Sequence, residues 1–327
     1  MSKSKFQILS VLAIALFLIV FGFFYVLPAF RGDIKIISDF YIGPVRIHLY
    51  GLIIGLAILL GYWVVVRHAK QKGLAVEHID SAFPWIVLLG FIAARVYYVA
   101  FEWERYANDV FDVLKVWQGG LSIYGAILGG ILGAFIYAKR AKISLISFLD
   151  VVALGVPLAQ SLGRWGNFFN QEAFGLPTNL PWRMYVEPVQ RPFEYLDSQF
   201  FHPAFLYESL WDLFVFFMLI YLFGKRQKSG FTPSPERHPP EPDKLADERS
   251  GMLSELPQSH GRKPAVTGFI LGSYLIFYSI GRFFIESIRL DSSFVGQFRA
   301  DQIVALILIM FGTALILKNE RAALENS

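Results

Sequence analysis

The sequence predicts an all-α polytopic membrane protein of about eight transmembrane helices with a small irregular extracytoplasmic head. Three observations carry that expectation. Of the 327 residues, 55% are hydrophobic and only 17% are charged, which is too apolar for an ordinary soluble domain. Apolar runs close to or beyond the roughly 20 residues needed to cross the hydrocarbon core recur along the chain. Lysine and arginine gather at the ends of these runs instead of forming one basic face, so the net charge of +4 reflects membrane topology and not nucleic-acid binding. The chain has no cysteine, which excludes disulfides, thiolate metal sites and a cysteine nucleophile.

Lys3 and Lys5 precede an uncharged run from Phe6 to Phe30, read as an uncleaved anchor because Val26-Leu27-Pro28-Ala29-Phe30 offers no small-x-small cleavage site. Residues 31 to 47, with Gly43-Pro44, form an interfacial segment along the membrane. Leu49 to Val66 and Ser81 to Phe101 are the next spans. The second of these contains Arg95, at a depth where a charge costs roughly 2.5 to 3.5 kcal/mol. Arg95 is therefore a substrate-binding candidate, with snorkelling to the interface as the plainer alternative. Val116 to Tyr137 is rich in glycine, for helix packing or for close approach to a ligand, with packing the commoner reason. Ile143 to Leu162 carries Asp150, and Phe205 to Gly224, Pro264 to about Ile288 and Ile303 to Leu317 complete the set. Residues 225 to 263, rich in proline and alternating charge, read as a disordered cytoplasmic loop. The chain thus divides into an extra anchor with its interfacial segment (1–41), a core (42–224) with a head (163–205), the loop (225–263) and a carboxy-terminal part of the core (264–327).

Placing the amino terminus inside puts the short basic clusters, such as Arg67, Lys70 and Lys72 or Lys139, Arg140 and Lys142, in the cytoplasm. Gly163 to Phe205 and residues 289 to 301 then emerge together on the outer face. ATP and nucleotide cofactors are unavailable there, which leaves a lipid, an exported polypeptide or an ion as substrate.

The stretch Gly163-Arg164-Trp165-Gly166-Asn167-Phe168-Phe169-Asn170-Gln171-Glu172, running to Gly175, sets an arginine, two asparagines and a glutamate at a membrane edge. A polar helix cap followed by an ordinary loop is the bland alternative. Arg282, Glu286 and Arg289 follow i, i+4, i+7 spacing, with Tyr278 one turn earlier, so the four are expected on one helix face. They are either interfacial ion pairs or, with Arg164, a clamp in which two guanidiniums grip a phosphate by forked hydrogen bonds. His202, beside Pro203, is either a base or a structural residue, with the structural role favoured. Glu172 and Glu208 could each orient an arginine or accept a proton, and spacing does not choose between them. Tyr50 and Tyr124 are either aromatic anchors or hydrogen-bonding groups of the cavity. No spacing suits a metal, and no phosphate loop or nucleic-acid module is present.

Taken together, Gly163-Arg164-x-Gly166-Asn167-Phe168-x-Asn170-x-Glu172 and Gly175, with Ile42-Gly43-Pro44-Val45-x-Ile47-His48-x-Tyr50-Gly51, Gly119-Gly120 to Gly125, His202-Pro203, Leu206-Tyr207-Glu208 and Tyr278 to Arg289, resemble the bacterial prolipoprotein diacylglyceryl transferases. The resemblance covers roughly residues 42 to 317. It implies transfer of the diacylglyceryl group of phosphatidylglycerol to the lipobox cysteine of preprolipoproteins in the bacterial cytoplasmic (inner) membrane, with release of glycerol 1-phosphate and no cofactor. It further implies that Arg164 and Arg282 bind the lipid phosphate, that Asn167 and Asn170 donate to lipid oxygens, and that Glu172 holds an arginine. Gly175 would permit a close turn, and Tyr278, Glu286 and Arg289 would line the cavity. Some family members carry histidine where this chain has Tyr124, so either Tyr124 only orients the lipid or Glu172 or the phosphate itself takes the thiol proton. The extra anchor and the loop look like additions lying away from the site. A lipid or anion transporter using Arg95, Asp150 and the outer arginines is the alternative, and a scaffold acting through the loop is a third reading.

Overall fold

A computed structural model describes residues 3–72, 74–228 and 268–325. The expected loop therefore lies outside the described residues from position 229 onward, while Lys225 to Lys228 continue a helix. The chain is mostly helical. Five helices are long and apolar enough to cross a membrane, and a sixth span results if one bent pair is counted as a unit.

Helix α1 (Lys3–Phe21) runs through a π-helical turn (Gly22–Val26) into α2 (Leu27–Arg31), which Gly32 closes in the left-handed region. The expected interfacial segment is a β-hairpin, β1 (Asp39–Ile42) on β2 (Val45–His48), because Gly43 at φ +58° lets the chain reverse before Pro44. Arg46 Nε lies 2.6 Å from Asp39 Oδ2 across it, and this hydrogen bond, with one from Ser38, holds the Asp39 carboxyl below its usual range. The further helices are α3 (Leu49–Lys72), α4 (Val76–Phe101), α5 (Ile123–Ala141), the pair α6 (Leu145–Val152) and α7 (Val156–Asn170) bent by 50°, α8 (Ala204–Lys228), α9 (Phe269–Glu286) and α10 (Ala300–Glu325). Two further short antiparallel pairs, β3 (Met184–Tyr185) with β4 (Phe200–Phe201) and β5 (Phe294–Val295) with β6 (Phe298–Arg299), lie in the connections.

The chain forms two compact units. The first gathers residues 1–60, 157–215 and 276–310. Its core is aromatic: Phe168, Phe201 and Phe205 are fully buried, and Phe30 packs on both Phe168 and Phe205. Tyr25 stacks on Phe169, so the turn between α1 and α2, in the segment expected as an extra anchor, backs directly onto the 163–175 stretch instead of lying away from it. The reason is chemical: the aromatic residues of the motif need an apolar wall, and Tyr25 and Phe30 supply one.

The second unit gathers residues 61–156, 216–275 and 311–327. Its helices α4 and α5 approach closely through glycine. A Cβ on Gly125 or Gly129 would come within 2.3 Å of the carbonyl oxygens of Ala93 and Leu89, so these positions serve packing. Helix α5 begins later than the apolar run suggested, because residues 116 to 122 form a 3-10 turn and an extended step through Gly119 and Gly120. Arg95 organises this loop. Its guanidinium donates to the carbonyls of Asp112, Val113, Gly119 and Gly120 and lies over the Tyr106 ring, neither snorkelling nor bare. Gly120, at φ +77°, must be glycine, since a Cβ there would sit 2.5 Å from Arg95 Nη1. Asp150 is likewise engaged, pairing with buried Lys72 and accepting from the Leu271 amide in the first turn of α9.

Candidate active site

The site is assembled in the first unit by two side-chain clamps between helices. Ser161 and Ser209 exchange hydrogen bonds, each hydroxyl donating 2.8 Å to the other's carbonyl, and so fix α7 against α8. Trp211 Nε1 donates 2.9 Å to Phe277 O, and its indole occupies the space that a Cβ on Gly281 would need, which fixes α8 against α9. Both clamps lie within a turn of Glu208. They therefore set Glu208 on α8 between Arg164 of α7 and Arg282 of α9.

Glu208 is the centre of the arrangement. Its side chain is only 4% exposed, and it meets three guanidiniums: Arg164 Nε at 2.9 Å from Oε2, Arg289 Nη1 at 2.8 Å from Oε1, and Arg282 Nη1, also on Oε1. Arg282 is paired further with Glu286 Oε2 at 2.8 Å and with Asp301. Arg289 is held by Asp291 as well. Burial opposes its charge, but the Asp291 hydrogen bonds and the Glu208 pairing outweigh that and raise the guanidinium above its ordinary pKa. Among the described residues Arg164 has a single ion pair, made through Nε, which leaves its terminal nitrogens outside the network. Four buried carboxylate oxygens, Glu208 Oε2, Asp212 Oδ2 and both of Glu286, have no hydrogen-bond partner among the described residues, and of these Glu208 Oε2 and Glu286 Oε2 face a guanidinium. A buried concentration of guanidinium with an open fork is suited to a phosphate or another oxyanion.

The stripe expected on one helix face is only partly helical. Helix α9 ends at Glu286, and Ser287 to Arg289 close through i, i+3 turns. Arg289 instead bridges to Gly175, and Leu176 N donates 2.8 Å to Ile288 O. Gly175 is wedged there: an added Cβ would lie 2.7 Å from Ile288 O and 3.0 Å from His202 Cβ. Close backbone approach, not a positive φ, is what this position requires. The turn before it is strained at other residues, with Gln171 at φ 51° and Ala173 at φ 54°.

Glu172 Oε1 accepts from Asn167 Nδ2 at 2.8 Å and from Asn170 Nδ2 at 3.3 Å, so the carboxylate that the arginines share is Glu208 and not Glu172. Tyr50, at the start of α3, lies against Gly166, where a Cβ would be 2.6 Å from the ring. Tyr278 is half-buried one turn before Arg282. His202 shares a 3.2 Å contact with Tyr207 Oη, which accepts from Trp182 Nε1 at 2.7 Å, and partial burial pushes the imidazole below its ordinary pKa. Beside this network an apolar groove of about 470 Å³ is lined by Tyr207, Leu210, Trp211, Phe284, Ile285 and Ile288. Tyr124 belongs to the second unit, in the first turn of α5, with its ring 6.2 Å from Tyr97; Arg95 is in that unit too.

One residue of the cluster, Asp301, was not picked out from sequence. Glu208 had been weighed only against Glu172, and its place in Leu206-Tyr207-Glu208 was the available signal. Asp301 carried no signal, since it contacts Arg282 through folding alone.

Fold and site together define a multi-helix membrane protein with a buried oxyanion-type arginine cluster. A sequence model of the family described as prolipoprotein diacylglyceryl transferase matches residues 38–234 and 252–318. A phosphatidylglycerol–prolipoprotein diacylglyceryl transferase of Synechococcus elongatus is 40% identical over 83% of this chain and 83% of its own length. Proteins of the same name from Fervidobacterium nodosum and Thermotoga petrophila are 38% and 36% identical over 96% and 95% of the chain, and over 95% and 94% of their own lengths. The chain belongs to the prolipoprotein diacylglyceryl transferase family.

Proposed function

We propose that this protein transfers the diacylglyceryl group of phosphatidylglycerol to the lipobox cysteine thiol of preprolipoproteins, in the bacterial cytoplasmic membrane and at its extracytoplasmic face. The convergence of Arg164, Arg282 and Arg289 on Glu208 carries the reading. The proposed topology has about eight spans, with α1 to α2 and α5 crossing in addition to the helices named above.

In this reading Arg164 grips the lipid phosphate through its terminal nitrogens and Arg282 completes the clamp. The cysteine sulfur attacks the glyceryl carbon bonded to phosphate oxygen. The carbon–sulfur bond forms as the carbon–oxygen bond breaks, and the electron pair leaves on the phosphate of glycerol 1-phosphate. Charge grows on that oxygen, so a fixed guanidinium stabilises the transition state more than the bound lipid. A phosphodiester monoanion and a thiol balance a thioether and a singly protonated phosphate monoester, so the leaving phosphate can take the thiol proton, consistent with a monoester pKa near 6. Asn167 and Asn170, held by Glu172, face lipid oxygens, and Tyr50, Tyr278, Glu286 and Arg289 line the cavity. The groove beside Trp211 offers the apolar surface an acyl chain needs.

The test is mass measurement of a lipobox peptide incubated with the purified protein and phosphatidylglycerol. A diacylglyceryl thioether adduct is expected, and is lost in Arg164→Ala and Arg282→Ala. Lipid movement across vesicles without adduct would support a transporter and overturn this reading.

A further inference from the structure

We propose that Asp301 is a displaceable counter-ion that holds Arg282 closed until the lipid phosphate takes its place, and thereby sets the affinity of the site for phosphate. The inference rests on the transferase reading above.

Arg282 is within ion-pair distance of three carboxylates, Glu208, Glu286 and Asp301. A phosphate arriving on the same guanidinium would add a further negative charge in a buried place, where like charges repel strongly. One carboxylate must leave. Glu208 is fixed by Arg164 and Arg289 besides Arg282, and its side chain is 4% exposed. The Glu286 side chain is 1% exposed. Asp301 is 21% exposed and is the member of the three that solvent reaches.

Asp301 also has somewhere to go. It lies in the first turn of α10, where unpaired amide groups and the helix dipole favour a carboxylate. Its neighbours keep the segment anchored when it lets go. Arg299 Nη1 donates to the carbonyls of Glu286 at 2.8 Å and Arg289 at 2.7 Å, and Gln302 Nε2 donates to Phe283 O at 3.1 Å. A change of Asp301 rotamer therefore vacates one of the two contacts of Arg282 Nη2, the other being Glu286 Oε2 at 2.8 Å, without moving the backbone that carries it. Carboxylate and phosphate exchange on one guanidinium edge.

The experiment measures KM for phosphatidylglycerol and competitive inhibition by glycerol 1-phosphate in the full-length protein, for wild type, Asp301→Asn and Asp301→Glu. Removing the competing charge should lower both KM and the inhibition constant by about three- to tenfold, the size expected for one partly exposed ion pair. Asp301→Glu should return both toward wild type. A merely structural role would raise KM and leave glycerol 1-phosphate no tighter, and that result overturns the proposal, as does identical behaviour of the two variants. Asp301→Ser is the second charge-removing variant; if neither it nor Asp301→Asn folds, the pair is structural and the proposal fails. Stabilisation against heat by glycerol 1-phosphate is read in parallel, so absent transfer in wild type sinks the transferase reading while the anion exchange is still judged.

Discussion

Replacing Glu208 by glutamine removes the charge that three guanidiniums share while keeping the shape of the side chain. A unit ion pair near 2.9 Å is worth roughly 6 kcal/mol at an effective dielectric constant of about 20, before desolvation is counted. Measured losses on removing one member of a buried pair are about 3 to 5 kcal/mol. The amide oxygen still accepts one hydrogen bond, and Arg282 and Arg289 keep Glu286, Asp301 and Asp291. The lower end applies, about 3 kcal/mol, or an apparent melting temperature lower by roughly 6 to 12 °C on the scale of a 150- to 250-residue domain. Arg164 loses its sole ion pair among the described residues and with it the fixed position of its fork, so transfer falls by about a hundredfold or more, some 2.7 kcal/mol in the barrier. Thermal unfolding in detergent and the adduct assay read the two effects. The double variant with Arg164→Ala should be less destabilised than the sum of the singles, by about 0.5 kcal/mol or more. A melting temperature unchanged within error, with transfer within threefold of wild type, would refute the idea that Glu208 organises the arginines.

Gly175→Ala places a Cβ 2.7 Å from Ile288 O, a backbone atom that cannot turn aside, so a loss of about 1 to 3 kcal/mol and weaker transfer are expected in the same two assays. His202 has a pKa depressed by burial, so folding favours its neutral form. Its stabilising contribution is present above the unfolded value near 6.5 and fades as pH falls through the folded value. Wild type should therefore lose melting temperature between pH 7 and 5 more steeply than His202→Gln; equal slopes would remove His202 from the pH response.

Helical membrane architecture was legible because lipid imposes a long apolar run on every span and basic residues mark its ends. The arginines were legible too: Arg282 and Glu286 are four apart on a helix, and spacing alone puts them on one face. Arg289 was misplaced by the same rule, since nothing local shows that α9 stops at Glu286 and hands the chain to a bridge with Gly175. The interfacial hairpin and the late start of α5 were hidden for a like reason, because glycine permits several backbone paths and neighbours choose among them.

By itself the sequence determined which charges must lie in or beside the membrane, since a polar group there stands out against an apolar background. It did not determine their partners. Whether Glu172 or Glu208 holds the arginines depends on the serine clamp of α7 to α8 and the Trp211 contact of α8 to α9, which join residues dozens of positions apart. Ion pairing is decided within about 4 Å, and only the tertiary structure brings Arg164, Glu208, Arg282 and Asp301 inside that distance.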